Sequence, residues 1–343
     1  MLLLGLLSCG QKELNKVSFY KLIPFSQEGN LTDVFEVPPG IKQIKASSLW
    51  KEGYIGKNIV VAVIDTGCQA SHPDLIGQVI DGYNFTSDYN GSPANYNDNN
   101  GHGTHVSGTI AAAKNSFGVS GAAPGAKILA LKVLDANGEG TDENIAAAIK
   151  YAVNWTGPAG EKVRVISMSL GGPDDNPIVH AAIKHAIRKN ILVVCAAGNE
   201  GDGSASIDEY SYPGAYPEVV EVGSVNLLQK ISSFSNSNSE VDLVAPGEQI
   251  LSTYPVNSYR VLSGTSMAAP HVSGAAALII DKFETIWKRK ITEPEIFNLL
   301  MQHTVTLGNP RNEEGNGMIK LNEPKKQKLR SLLQYLIKQT SSM

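Results

Sequence analysis

From Asn58 onward the chain alternates two apolar patterns. Runs rich in β-branched residues, at 59–64, 128–133, 163–168, 191–196 and 219–223, are continuous rather than alternating with polar positions. Continuous runs of that length predict strands buried on both faces. Between them, residues 104–113, 142–154, 177–189 and 266–282 carry apolar side chains at helical spacing. This alternation predicts an α/β fold of three layers, a mainly parallel sheet with helices on both faces. Clusters of Gly, Asn, Asp and Ser at 84–103, 171–176, 198–206 and 232–240 fall between the elements and predict surface loops. No internal repeat or mid-chain linker breaks the pattern. The organisation is an N-terminal extension over 1–35, one large domain over 36–321 and a Lys-rich tail over 322–343.

Composition narrows the function. With 343 residues and 42% hydrophobic positions the chain can bury a large core. Lys plus Arg number 29 against 33 Asp plus Glu, so no bulk positive field draws in nucleic acid. Apolar runs fall short of the roughly 18 consecutive positions of a membrane span. Cys9, Cys68 and Cys195 cannot all pair within one chain and are too few for a disulfide-stapled scaffold. That count favours a reducing compartment, the cytoplasm, and Cys68 and Cys195 read as small packed side chains. Leu6-Leu7-Ser8-Cys9 resembles the cleavage box of a bacterial lipoprotein signal, but its apolar core is short and no Lys or Arg precedes it. An exported lipid-anchored form and a plain leader both remain open.

Three segments carry reactive side chains at element ends. Asp65, in Val60-Val61-Ala62-Val63-Ile64-Asp65-Thr66-Gly67, closes a buried strand, where open α/β sheets face their ligands. His102, in Asn100-Gly101-His102-Gly103-Thr104-His105, sits at a glycine-relaxed helix start. Ser266, in Ser263-Gly264-Thr265-Ser266-Met267-Ala268, opens a long Ala-rich helix. Singly, each also reads as a turn or helix cap. Together they supply an acid to orient, a base to take a proton and a hydroxyl to attack, the apparatus of acyl transfer. The order Asp, His, Ser excludes the α/β-hydrolase order of Ser, acid, His.

These segments, with Ser167-Met168-Ser169-Leu170-Gly171-Gly172 and Cys195-Ala196-Ala197-Gly198-Asn199-Glu200-Gly201, resemble the subtilisin-like serine proteases over about residues 37–319. The resemblance implies that Asp65, His102 and Ser266 form the triad. It also implies that Asn199 and the Ser266 N–H form the oxyanion hole, where loss of one donor costs about 10²–10³ in turnover. Ser169, Leu170 and Gly171 resemble the segment that pairs with substrate backbone, which implies broad cleavage. By the same resemblance Glu200 lies at the mouth of the primary pocket and would favour a basic or polar residue. Asp142 stands where relatives place an aromatic in the outer pocket; both acids also read as solvated surface groups. Calcium is implied at Asp74, Asn115 and the carbonyls of Ala113, Phe117 and Val119, and more weakly at the carbonyls of Gly214, Tyr216 and Val219. A tight turn is the alternative for both. The family's glutamine ligand aligns with Phe35, which leaves Glu36 or water to fill that place in a cage of six to eight oxygens.

Leu22-Ile23-Pro24-Phe25 resembles the short inhibitory motif of the bacterial intracellular subtilisins, and Asp65-Thr66-Gly67-Cys68 resembles the same branch. Pro24 fixes φ and lacks an N–H, so it is expected to hold the nearest peptide bond away from Ser266. Ser26-Gln27-Glu28-Gly29-Asn30 reads as an exposed loop where the extension is cut. In the tail, Leu329, Leu332, Leu333, Leu336 and Ile337 share one helical face beside Lys325, Lys326, Lys328 and Arg330. Such a face needs a partner, a second copy of the chain or a membrane surface. The expectation is a latent serine endopeptidase of broad specificity acting on cytoplasmic proteins, with a homodimer as its assembly. The alternatives are the exported form and a catalytically silent peptide-binding module.

Overall fold

The structure, a computed structural model, describes residues 19–30 and 36–322. In chain order its strands are β1 (Phe19–Leu22), β2 (Ser26–Asn30), β3 (Val60–Asp65), β4 (Val79–Asn84), β5 (Lys127–Lys132), β6 (Glu139–Thr141), β7 (Val163–Met168) and β8 (Leu170–Gly171). They continue as β9 (Leu192–Ala196), β10 (Val220–Val225), β11 (Val241–Pro246), β12 (Ile250–Tyr254), β13 (Ser258–Ser263), β14 (Thr304–Val305) and β15 (Met318–Ile319). The helices used below are α1 (Pro39–Gln43), α2 (Ala46–Lys51), α3 (His102–Ala111), α4 (Asp142–Asn154), α5 (Pro177–Arg188), α6 (Thr265–Trp287) and α7 (Glu293–Gln302).

Nine strands form the central sheet in the order β14-β15-β11-β10-β9-β7-β3-β5-β4, parallel except at the β14–β15 edge. Alternate side chains of each strand feed two cores. Val61 and Val63 of β3 pack with α3, α6 and α7, while Val60, Ala62 and Ile64 pack with α4 and α5. This double burial is why the runs are apolar throughout. The helices begin where side chains satisfy free N–H groups. Thr141 accepts from Asn144 N–H at 3.3 Å ahead of α4, and Asn176 accepts from Ile178 and Val179 ahead of α5, with Pro177 in the first turn.

Residues 19–30 lie along the carboxyl edge of this sheet. Strand β1 is the middle member of a three-stranded sheet, β6-β1-β8, antiparallel to both neighbours, and β2 pairs antiparallel with β13 beyond the β12–β13 hairpin. Tyr20 and Leu22 join the core on the α4–α5 face, while Ile23 and Phe25 join the other.

The strand and helix positions read from the pattern are found within one or two residues, save that α6 runs on to Trp287. Two loop expectations are corrected. Ser26–Asn30 is a strand rather than an exposed loop, because β13 offers an open edge that takes its backbone. Residues 232–240 are not a surface loop: Ser232, Ser235, Asn236, Ser237 and Asn238 are buried. Their polar groups are satisfied internally, as where Ser235 Oγ accepts from Ser224 N–H at 3.0 Å and Asn238 Nδ2 donates to the Glu209 carbonyl at 2.9 Å. Gly171, read as loop, belongs to β8. Among the described residues no helix is long and apolar enough to cross a membrane. Residues 1–9, Phe35 and the apolar face of the tail lie outside the described residues.

Candidate active site

The carboxyl ends of β3, β7 and β9 meet the first turns of α3 and α6, and the sequence-predicted catalytic groups gather there. Asp65 is the last residue of β3, His102 the first of α3, and Ser266 lies in the first turn of α6; all three are buried. His102 Nδ1 stands 2.9 Å from Asp65 Oδ1 and 3.0 Å from Oδ2, and Thr66 N–H donates to Oδ1 at 2.7 Å. Helix α3 comes this close only because Gly103 has no side chain. A Cβ there would meet the Gly67 carbonyl at 2.2 Å and Asp65 Oδ1 at 3.1 Å.

His102 Nε2 is buried with no hydrogen-bond partner among the described residues. The Ser266 hydroxyl donates to the Ser169 carbonyl at 3.3 Å, while Ser169 Oγ donates to the Ser266 carbonyl at 3.0 Å. Asn199 is fixed by its Oδ1, which accepts from Thr265 N–H and Oγ1, both at 2.9 Å, and its Nδ2 donates to the Pro24 carbonyl. The Phe25 ring lies 5.0 Å from the His102 ring, centroid to centroid. Asn199 thus takes up the carbonyl of Pro24, the residue expected to hold its nearest peptide bond away from Ser266. Proline loses its donor but keeps its acceptor.

Several positioning residues escaped the sequence reading. The Asp98 carboxylate accepts from Thr66 Oγ1 (2.9 Å), Asn100 N–H (3.0 Å), Gly101 N–H (2.8 Å), Thr104 N–H (2.9 Å) and Thr104 Oγ1 (2.6 Å). It thus caps α3 from the preceding loop and ties that cap to the residue after Asp65. Lys132, fully buried, donates to the carbonyls of Thr66 (2.8 Å) and Leu134 (2.9 Å) and to Asn99 Oδ1 (2.9 Å), and pairs with Asp88 at 3.0 Å. An Asp four residues ahead of a helix-opening His was the one available signal for Asp98.

The walls of the cleft take up an extended chain. Lys21 and Leu22 of β1 register with Gly171 and Leu170 of β8, and Phe19 to Lys21 register with β6. Glu200 Oε2 accepts from Asn199 N–H (2.9 Å) and Asn236 Nδ2 (3.1 Å), and Asn236 Oδ1 accepts from Glu200 N–H (2.7 Å). Asp142 is buried rather than solvated, and its carboxylate holds Asn176 at the start of α5. The Tyr20 phenol is shifted upward by its own burial and then by the Asp142 charge.

Around Asp74, residues 113–119 form a compact set of oxygens. The carboxylate accepts from Asn115 Nδ2 (3.0 Å), Val119 N–H (2.8 Å) and Tyr259 OH (2.9 Å), and a Cβ on Gly118 would come within 2.0 Å of Oδ2. The carbonyls of Ala113, Phe117 and Val119 accept no hydrogen bond from the described residues. A carboxylate with unengaged carbonyls is a donor set suited to a hard cation. Glu36 instead accepts from Ser116 N–H at 2.7 Å. In the second candidate set the Tyr216 carbonyl already accepts from Val219 N–H at 2.9 Å. Among the described residues no three His, Cys, Asp or Glu side chains group to hold a metal.

A carboxylate, an imidazole and a helix-opening hydroxyl at the carboxyl edge of a parallel sheet define the class as a serine hydrolase. Residues 56–318 match the Subtilase family, and the chain belongs to that family. It is 52% identical over 305 residues to the "Major intracellular serine protease" of Bacillus subtilis (strain 168), covering 89% of this chain and 94% of the relative. It is 50% identical over 300 residues to the "Intracellular serine protease" of Paenibacillus polymyxa, covering 88% and 90%. To "Subtilisin E" of Bacillus subtilis (strain 168) it is 44% identical over 274 residues, 80% of this chain and 67% of the relative. The chain is thus a subtilisin-like serine endopeptidase.

Asp98 provides a test of how His102 is positioned. In protein lacking residues 1–31, Asp98→Ala should lower kcat about a hundredfold, the cost of a small misplacement of a reacting group, with KM little changed. Steady-state hydrolysis of a chromogenic peptide measures both. Wild-type kcat in a folded Asp98→Ala protein would contradict the positioning role.

Proposed function

We propose that the protein is an intracellular endopeptidase of broad specificity that works through Asp65, His102 and Ser266 and is held latent by its N-terminal extension. The observation that carries this reading is the Asp65 carboxylate on Nδ1 of a buried imidazole whose Nε2 has no partner among the described residues and is left free to accept a proton. Asp65 fixes the tautomer with the proton on Nδ1 and stabilises the imidazolium that forms. Ser266 Oγ, once turned to Nε2, gives up its proton and attacks the peptide carbonyl. Asn199 Nδ2 and the Ser266 N–H take up the charge on the carbonyl oxygen. The imidazolium then protonates the leaving amine, and water repeats the sequence on the acyl-enzyme. Backbone pairing with β6 and β8 recognises any extended chain, which accounts for broad cleavage. The names of the two intracellular relatives support the location.

Latency rests on β1 standing where substrate would pair. Extending the β1–β8 register by one residue sets Ile23 opposite Ser169, yet the carbonyl at Asn199 is that of Pro24, one residue further on. The chain leaves strand register at a residue with fixed φ and no N–H. Ser266 meanwhile rests on the Ser169 carbonyl, and Phe25 covers His102. As a tethered segment the extension acts at high effective concentration. Its removal requires release of β2 from β13 as well as cleavage. The homodimer rests on the sequence pattern of the tail alone.

Calcium is the structural ion of this reading. Asp74, the Asn115 side-chain oxygen after rotation of its amide, and the carbonyls of Ala113, Phe117 and Val119 would hold it, with Gly214, Tyr216 and Val219 as a weaker second set. A bound calcium would supply positive charge that pins residues 113–119 to Asp74, and it takes no part in peptide hydrolysis.

Full-length protein, verified intact by mass, should cleave a chromogenic peptide about a hundredfold more slowly than protein lacking residues 1–31. Ser266→Ala in the shortened protein should lower kcat by about 10⁶. Equal rates for the two lengths would contradict latency, and activity in the Ser266→Ala variant would contradict the triad. Separately, EGTA should lower the melting temperature of Ser266→Ala protein, because an ion bound only by the folded state stabilises it. An unchanged melting curve would remove the calcium assignment.

A further inference from the structure

The extension crosses the whole cleft, and its second half lies on a strand edge that the proposed reaction leaves unused. With the Pro24 carbonyl held by Asn199, Phe25 is the first residue past the bond at the site, Ser26 the second, Glu28 the fourth and Asn30 the sixth. In the β2–β13 pairing Ser26 stands opposite Ser263, Gln27 opposite Leu262 and Glu28 opposite Val261; after a shift of register Asn30 stands opposite Arg260. The three strands lie in the order β12-β13-β2. Loss of the extension therefore turns β13 into an edge whose N–H and C=O groups are open to a partner.

Two features show what this edge accepts. Ser-Gln-Glu-Gly-Asn contains no β-branched or aromatic residue, and Glu, Gly and Asn are depleted in strands, yet the segment is extended and paired everywhere but at Gly29. The β13 backbone imposes the pairing, so a chain of other sequence can take the same place. The edge is also braced. Tyr259 OH donates to Asp74 at 2.9 Å and Gln249 N–H to Ser263 Oγ at 2.9 Å, while from β12 Ser252 Oγ and Thr253 Oγ1 each donate at 2.8 Å to the carbonyls of His105 and Thr104. Those last two bonds fasten the hairpin to α3, the helix that opens with His102. An edge fixed in this way loses little freedom when a chain joins it.

We infer that the β13 edge, as far as Arg260, is a docking strand for the departing half of the substrate and engages its backbone up to the sixth residue after the cut bond. The partner is an unfolded polypeptide that continues well past the cut and joins β13 as an antiparallel third strand. This inference rests on the proposed peptidase site and names a property of its substrates, length beyond the cut bond. Bonds within the last few residues of a chain are then poor substrates, because such a chain ends before it reaches Val261.

The test uses protein lacking residues 1–31 and peptides that share one sequence up to the cut bond, end in an amide and continue for three or six residues beyond it. Mass spectrometry confirms the bond cut. From three residues to six, kcat/KM should rise about tenfold, the worth of about two added backbone hydrogen bonds. In a second series the six-residue peptide carries an α-hydroxy acid in place of the amino acid at the third or at the fourth position, which removes one N–H without adding bulk. In an antiparallel pair only alternate residues exchange hydrogen bonds with the facing strand. One replacement should therefore cost about fivefold and the other about twofold or less. Equal rates for three and six residues overturn the inference, and so do equal effects of the two replacements. Hydrolysis of the three-residue peptide upholds the peptidase reading in either case, whereas failure to cut any peptide would sink that reading and this inference with it.

Discussion

Everything at this site follows from one buried carboxylate. Asp65 ends a strand inside the sheet, where an ion is costly unless hydrogen-bonded and paired. Its acceptors are met by Thr66 N–H and His102 Nδ1, so the imidazole is held by the same contacts that make the acid tolerable. The neighbouring elements keep those donors in place. Asp98 gathers the N–H groups that open α3, and Lys132, in register with Asp65 on β5, ties the ends of β3 and β5 to Asp88 and Asn99. A fully buried ammonium needs several acceptors, and here it has four. The loop that delivers His102 is thereby anchored to the strand that delivers Asp65.

The fold was legible where burial left a mark on composition. β3, β5, β7, β9 and β10 are buried on both faces and read as continuous apolar runs, and α4 and α5 show themselves through apolar side chains at helical spacing. The β12–β13 hairpin was missed because its strands mix Ser, Thr, Tyr and Arg with apolar residues and make no continuous apolar run. α1 and α2 are too short to develop a helical period. Polar composition misled at residues 232–240, where serines and asparagines are buried because they bond to one another and to the backbone. Ser26–Asn30 misled for a different reason, since its pairing is set by the open edge of β13 rather than by its own side chains. At the site, the reactive groups were legible from residue type and chain order. Asp98 and Lys132 were not, because their roles depend on contacts between segments distant in sequence.

The extension meets the cleft through one physical device. Residues 19–22 pair by backbone with β6 and β8, and in the proposed function the same strand edges would take up substrate, so recognition and self-restraint would share them. What separates the two is local. Pro24 breaks the register beside Asn199, and Phe25 lies against His102.

The central claim, that Ser266 is a nucleophile activated by His102 and shielded by the extension, is tested most directly by covalent labelling with a fluorophosphonate, followed by peptide mapping. The account predicts one label per chain, on Ser266, in protein lacking residues 1–31. It predicts much slower labelling of the same residue in intact full-length protein and none in a shortened His102→Ala variant. Labelling at a different residue, or equal labelling of Ser266 with and without His102, would contradict it.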